Sequence, residues 1–171
     1  MSTVDTNTYV SALKELIEEG HLVNLTVSGW SMAPFLAHRR DVVYLKRPEK
    51  VLRKGDIVFY ERSNGQYVLH RICRVHKKAL PSPPEGGVPA EIPDIRSAYD
   101  MSGDAQTLLE KGIRRDQIFA LAVRAERKGR ELRPGSPLWL FYSVVWVALR
   151  PLRHTLMRLR ERFRHFQPRK P

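Results

Sequence analysis

Cysteine is almost missing from this chain: Cys73 is the only one among 171 residues. No intramolecular disulfide can form, which suits a reducing compartment. Cys73 sits in an apolar run and reads as a small buried hydrophobe. No Cys/His spacing of the zinc kind occurs, so neither a metal site nor a cofactor is expected. The N-terminus, MSTVDTNTYV, has neither the basic nor the apolar segment of a secretory signal peptide. Residues 137–149, PLWLFYSVVWVAL, are almost wholly apolar, but a helix of that length covers only ~20 Å of a ~30 Å hydrocarbon core. No internal repeat is evident. The segment before the first strand has room for one helix, too little for a helix-turn-helix, which weighs against nucleic acid as a partner.

What is present is enough apolar material for a core, 42% of residues, and a lopsided charge. The formal net charge is +12; Arg124 to Pro171 hold 13 Lys/Arg against three acids, and the other 123 residues hold 17 against 15. A near-neutral body with a basic tail favours an anionic partner.

Asn7 to Glu19 read as an amphipathic helix, with Tyr9, Leu13, Leu16 and Ile17 at helical spacing and Gly20 as its C-terminal cap. The period then changes to that of strands. HLVNLTV, DVVYLKR, DIVFYER, QYVLHRICRV and IFALAVRAE are short runs rich in β-branched and aromatic residues, separated by turn formers. Asn64-Gly65 between two of them predicts a type I′ hairpin, with His70 on its second strand. Residues 78–95 are crowded with proline and glycine and read as a loop insertion. The expected organisation is an N-terminal helix at 1–20, a β-domain at 21–128 and an apolar and basic helical tail at 129–171.

Three segments carry candidate chemistry. Ser31 lies in Ser28-Gly29-Trp30-Ser31-Met32-Ala33-Pro34, after an apolar strand. A serine hydroxyl barely ionises at neutral pH and needs an adjacent base. His70, in Val68-Leu69-His70-Arg71-Ile72, has the right chemistry, because imidazole titrates near the working pH. Ser102-Gly103-Asp104-Ala105, with Glu110 further on, supplies carboxylates that can orient the base and stabilise imidazolium as it forms. Each segment taken singly has an ordinary structural explanation as a turn serine, a strand histidine or a Gly-Asp turn.

Taken together, SGWSMAP, LRKGDIVFY, VLHRICRV and SGDA, in that order, resemble the signal peptidase I family and its relatives, the self-cleaving SOS-type repressors. The resemblance spans roughly Leu22 to Val123. Histidine rather than lysine at position 70 is similar to the endoplasmic-reticulum and archaeal branch. The resemblance implies a mainly β fold, a coiled and partly open antiparallel barrel, and a serine endopeptidase that binds its peptide as an extended strand. It implies Ser31 as nucleophile and His70 as general base, with Asp104 or Glu110 as its support or the pair acting as a dyad. It also implies an oxyanion hole at the Ser31 N–H, to which the Ser28 hydroxyl can add. A cytoplasmic enzyme processing a precursor or leader peptide is expected, peripheral at the inner membrane face if the tail binds lipid. Two other classes stay open: a catalytically silent peptide-binding or membrane-tethered module, and a nucleic-acid-linked regulator of the repressor kind. For residues 137–166 two placements are open. The segment lies on an anionic membrane surface, or it folds back and buries Leu140, Val144 and Val147 on the barrel.

Overall fold

A computed structural model of the chain describes residues 6–77 and 97–149 together with Leu152. The proline-rich stretch and the arginine-rich sequence beyond Leu152 lie outside the described residues.

The helical period near the N-terminus is realised as α1, Thr6–Glu18. It stops at Gly20, whose φ of 91° is the left-handed conformation that glycine adopts without strain. Gly20 N–H bonds to Ile17 O at 3.0 Å and His21 N–H to Leu16 O at 2.9 Å, the paired bonds of a Schellman cap. The buried stripe is Val10, Leu13 and Ile17, whereas Tyr9 and Leu16 remain exposed. The buried face is therefore turned from the expected one, sharing Leu13 and Ile17 with it and taking Val10 in place of Tyr9 and Leu16.

The strands are β1 Val23–Thr26, β2 Val42–Lys46, β3 Ile57–Glu61, β4 Tyr67–His76, β5 Ala98–Ser102, β6 Glu110–Arg114, β7 Ile118–Arg127 and β8 Arg130–Leu132. They make one antiparallel sheet in the order β1-β2-β7-β3-β4-β5-β6, with β8 on the far end of β7. The fold is mainly β, as expected, and the sheet is open rather than closed into a barrel. β7 is its seam: residues 118–121 pair with β3, residues 125–127 with β8, and β2 runs along its other edge. β3 is a continuous apolar run because both of its faces are buried. Ile57 and Phe59 enter one apolar cluster, and Val58 and Tyr60 enter the other.

The β3–β4 hairpin is not the two-residue turn that Asn64-Gly65 suggests. Arg62 N–H bonds to Gln66 O at 2.8 Å and Gly65 N–H to Arg62 O at 2.9 Å. Of its loop residues only Gly65 has positive φ, at 79°, so this is a type I turn with a glycine bulge. The sheet also continues past the expected boundary at 128, since β8 pairs Leu132 with Ala125.

The C-terminal apolar run starts as the helical turn α2, Pro137–Leu140, and continues without a break as a π-helix, Phe141–Trp146, ending at residue 148. Its Trp139, Tyr142 and Val147 are buried, and the first two join the apolar cluster under α1. Phe35 meets Trp139 edge-on at 5.4 Å between ring centroids and Tyr142 at 4.9 Å. Leu140 and Val144, expected to be buried if the segment folded back, are instead 50% and 61% exposed. Of the three residues expected to be covered on folding back only Val147 is buried, so the covered face is rotated from the expected one.

Candidate functional site

Ser31 lies between an exposed residue and a buried one. Trp30 is 67% exposed, while Met32, Phe35 and Leu36 are buried in the core, so the loop is anchored just beyond the serine. On its other side, Gly29 has φ 90° and its N–H bonds to His38 Nδ1 at 2.9 Å; the His38 ring lies 5.5 Å from that of Trp30. His38 escaped the sequence reading, because nothing in FLAHRR marks it as a prop for the serine loop. Ser28 is exposed.

The SGDA segment holds Ser31 from the opposite side. Ala105 N–H donates to Ser31 O at 2.8 Å. A Cβ on Gly103 would collide with the Ser31 carbonyl and come within 2.9 Å of the Ser31 Cβ, so the glycine is required by close approach. Arg71 pairs with Ser102 in the β4–β5 ladder. Continued by one step, that register brings His70 level with Gly103, the residue on which Ser31 is packed.

His70 is 1% exposed and sits opposite Val58 on β3. Its Nδ1 lies 3.2 Å from Tyr60 Oη and 3.2 Å from Glu110 Oε1. Tyr60 donates to Glu110 Oε2 at 2.8 Å, so its oxygen is left to accept. Arg62 grips the same carboxylate with two donors, Nε to Oε2 at 2.7 Å and Nη2 to Oε1. Burial alone would raise the Glu110 pKa, but the bonds from Arg62 and Tyr60 and the neighbouring positive charges hold it below the usual carboxylate value. Burial pushes His70 down to about 4, against the opposing pull of Glu110. Near pH 7 the histidine is therefore neutral beside an ionised carboxylate. Both neighbours of Nδ1 can only accept, so its proton sits there and Nε2 carries the lone pair. Nε2 makes no hydrogen bond, and Ser136 Oγ is the one fully buried side-chain polar atom without a partner among the described residues. Among the described residues no hydrogen bond joins the His70 ring to the Ser31 hydroxyl.

The two candidate acids part company. Glu110 is the carboxylate at His70. Asp104 is fully buried and bound by Arg71, with Nε to Oδ1 at 2.9 Å and Nη2 to Oδ2 at 2.8 Å. Arg71 Nη1 also donates to Gly55 O and to Ser143 Oγ, each at 3.0 Å, and its guanidinium lies 4.9 Å from the centre of the Phe35 ring. Asp104 as the support for His70 is corrected on this ground: its charge is matched by Arg71, which points away from His70 because neighbours on a strand face opposite sides.

A cleft of about 500 Å³ opens beside Glu110, lined by Arg62, Ala105, Gln106, Thr107, Leu108 and Glu110. Leu108 on its rim is 82% exposed. Among the described residues no three His, Cys, Asp or Glu side chains gather as a metal site, and no helix is long and apolar enough to cross a membrane. Comparison with protein-family models and with curated proteins finds no match to this chain.

Proposed function

We propose that this chain is a serine endopeptidase of the signal-peptidase type that cleaves a precursor or leader peptide. The observation that carries it is the setting of His70: a buried imidazole whose Nδ1 lies 3.2 Å from both Glu110 Oε1 and Tyr60 Oη, next to the glycine on which Ser31 packs. Ser31 Oγ attacks the scissile carbonyl and its proton passes to His70 Nε2. Glu110, 3.2 Å away, stabilises the imidazolium. The oxyanion forms at the Ser31 N–H, with Ser28 able to supply its hydroxyl. Collapse breaks the C–N bond, the departing amine takes the proton from Nε2, and the acyl group stays on Ser31. Water, deprotonated by the same nitrogen, then releases it as the free carboxylate. The peptide binds as an extended strand along β1, which pairs only with β2 among the described residues and runs directly into the serine loop. The lone Cys73 suits a reducing, cytoplasmic setting.

The test is digestion of an unstructured peptide library by wild type, Ser31→Ala and His70→Ala, with peptide-aldehyde labelling located by mass spectrometry. Cleavage and the adduct on Ser31 should both vanish in Ser31→Ala. A wild-type protein that cuts nothing beyond what Ser31→Ala cuts would turn the reading toward a peptide-binding module.

A further inference from the structure

The helix at 137–148 contains no charged residue, yet only one of its faces is covered. Trp139, Tyr142 and Val147 are buried, Ser143 donates to Gly55 O at 3.2 Å, and Trp146 Nε1 donates to Asp104 O at 2.9 Å. The opposite face presents Leu138, Leu140, Phe141, Val144, Val145 and Ala148 to solvent. A surface helix normally turns polar residues outward, and a contiguous apolar patch marks an interface.

We propose that this outer face docks the protein, lying flat, on an anionic lipid bilayer. Charge selects that occupant. Lys128 and Arg130 are exposed on the hairpin that leads into the helix. The sequence from Arg150 to Pro171 adds eight Lys/Arg and one acid. A second copy of the chain would bring the same basic flanks against these and be repelled. An anionic headgroup layer satisfies both features, taking the apolar side chains at its acyl boundary and Lys128 and Arg130 at its phosphates. The helix cannot span: its inner face is committed to the core, and at 1.5 Å per residue it is too short. Because Trp146 bonds to Asp104, and Ala105 to Ser31, docking carries the serine loop close to the lipid surface.

The test uses the full chain and vesicles of phosphatidylcholine alone or with phosphatidylglycerol, read by co-sedimentation at low and high salt. Binding is expected to the anionic vesicles only, and to weaken at least tenfold as salt rises from 0.1 to 0.5 M, since Debye screening shortens to a few ångströms. Leu140→Glu and Val144→Glu change exposed positions, so the fold should survive, as circular dichroism would verify, while binding drops at least tenfold. Leu22→Glu, also exposed but on the β1 side, should bind as wild type does. Ser31→Ala should also bind normally, which separates this proposal from the peptidase reading. Three results would overturn it. The full chain fails to sediment with either vesicle; the two glutamate variants bind undiminished, assigning the contact to the basic sequence alone; or light scattering finds a dimer that Val144→Glu dissolves.

Discussion

Asp104 and Glu110 lie six residues apart, each held by two donors of one arginine, and they differ in what surrounds the pair. Arg71 and Asp104 are buried completely, and their further contacts include Gly55, Ser143, Phe35 and Trp146. Together they lock the turn before β3 and the C-terminal helix to the segment that carries Ser31. Arg62 and Glu110 keep roughly a quarter to a third of their side-chain surface in solvent, at 30% and 25%, and open onto a cleft. A sealed ion pair cannot exchange partners and serves the fold. A pair at the edge can respond to a charge that appears beside it, as imidazolium would at His70. The comparison teaches that sequence proximity to a Gly-Asp motif does not decide which acid serves a histidine; the face of the strand does.

Two amide substitutions should break this comparison apart. Glu110→Gln is expected to lower turnover by roughly 10³–10⁴, the effect of removing the acid behind a catalytic histidine. Its stability cost should stay within about 1 kcal/mol, because the Arg62 contact is partly solvated. Asp104→Asn is expected to do the reverse. It strands a buried guanidinium, at a cost of about 3–5 kcal/mol, and any protein that remains folded should keep much of its turnover. Urea unfolding alongside peptide cleavage measures both. If Asp104→Asn folds normally and loses turnover while Glu110→Gln is silent, the roles assigned here are reversed.

The sequence reveals the strands that alternate or run apolar, and it places His70 on its hairpin strand. It hides β5 and β6. AYDMS carries a buried aspartate, Asp100, which the fold satisfies with His76 at 3.1 Å and the Gly112 N–H at 3.2 Å. EKGIR is an edge strand with little apolar content. β5 pairs with β4 across the proline-rich stretch, and neither β5 nor β6 carries the alternation that would announce a strand. The choice between the acids had a signal that was there to read. Arg71, set among Leu69, Ile72 and Cys73 in a strand, must be buried or bulged, and a buried arginine needs a carboxylate. That demand claims Asp104 and leaves Glu110 for His70. The Tyr60–Arg62 cradle had no such signal, since Tyr60 reads as one more apolar strand residue and Arg62 as the start of a turn.

The next prediction sharpens the comparison through pH. The folded His70 is depressed from 6.5 to about 4 by burial, so below pH 6.5 the unfolded chain binds a proton that the folded one refuses. Stability is then full above pH 6.5 and falls as pH drops toward 4. Linkage gives a loss of about 2 kcal/mol between pH 7 and pH 5. Urea unfolding at several pH values should show this slope in wild type and a flat line in His70→Gln. An equal slope in both would place the titrating group elsewhere. In activity, the acid limb of kcat/KM should fall well below the pKa of free imidazole, near pH 4–5.

The smallest expected effect isolates the hydroxyl that joins the two halves of the Glu110 site. Tyr60 Oη donates to Glu110 and faces His70 Nδ1, while its ring packs in the second apolar cluster. Tyr60→Phe keeps the ring and deletes only the bridge, so the stability cost should be about 1–2 kcal/mol. Nδ1 still has Glu110 Oε1 at 3.2 Å, so the histidine keeps its tautomer and turnover should drop only about tenfold. The carboxylate loses one donor, its charge is less dispersed, and it favours imidazolium more strongly. The acid limb of kcat/KM should therefore move to higher pH, with kcat lowered and KM unchanged. A purely structural tyrosine would cost the same stability and leave the position of that limb where it was.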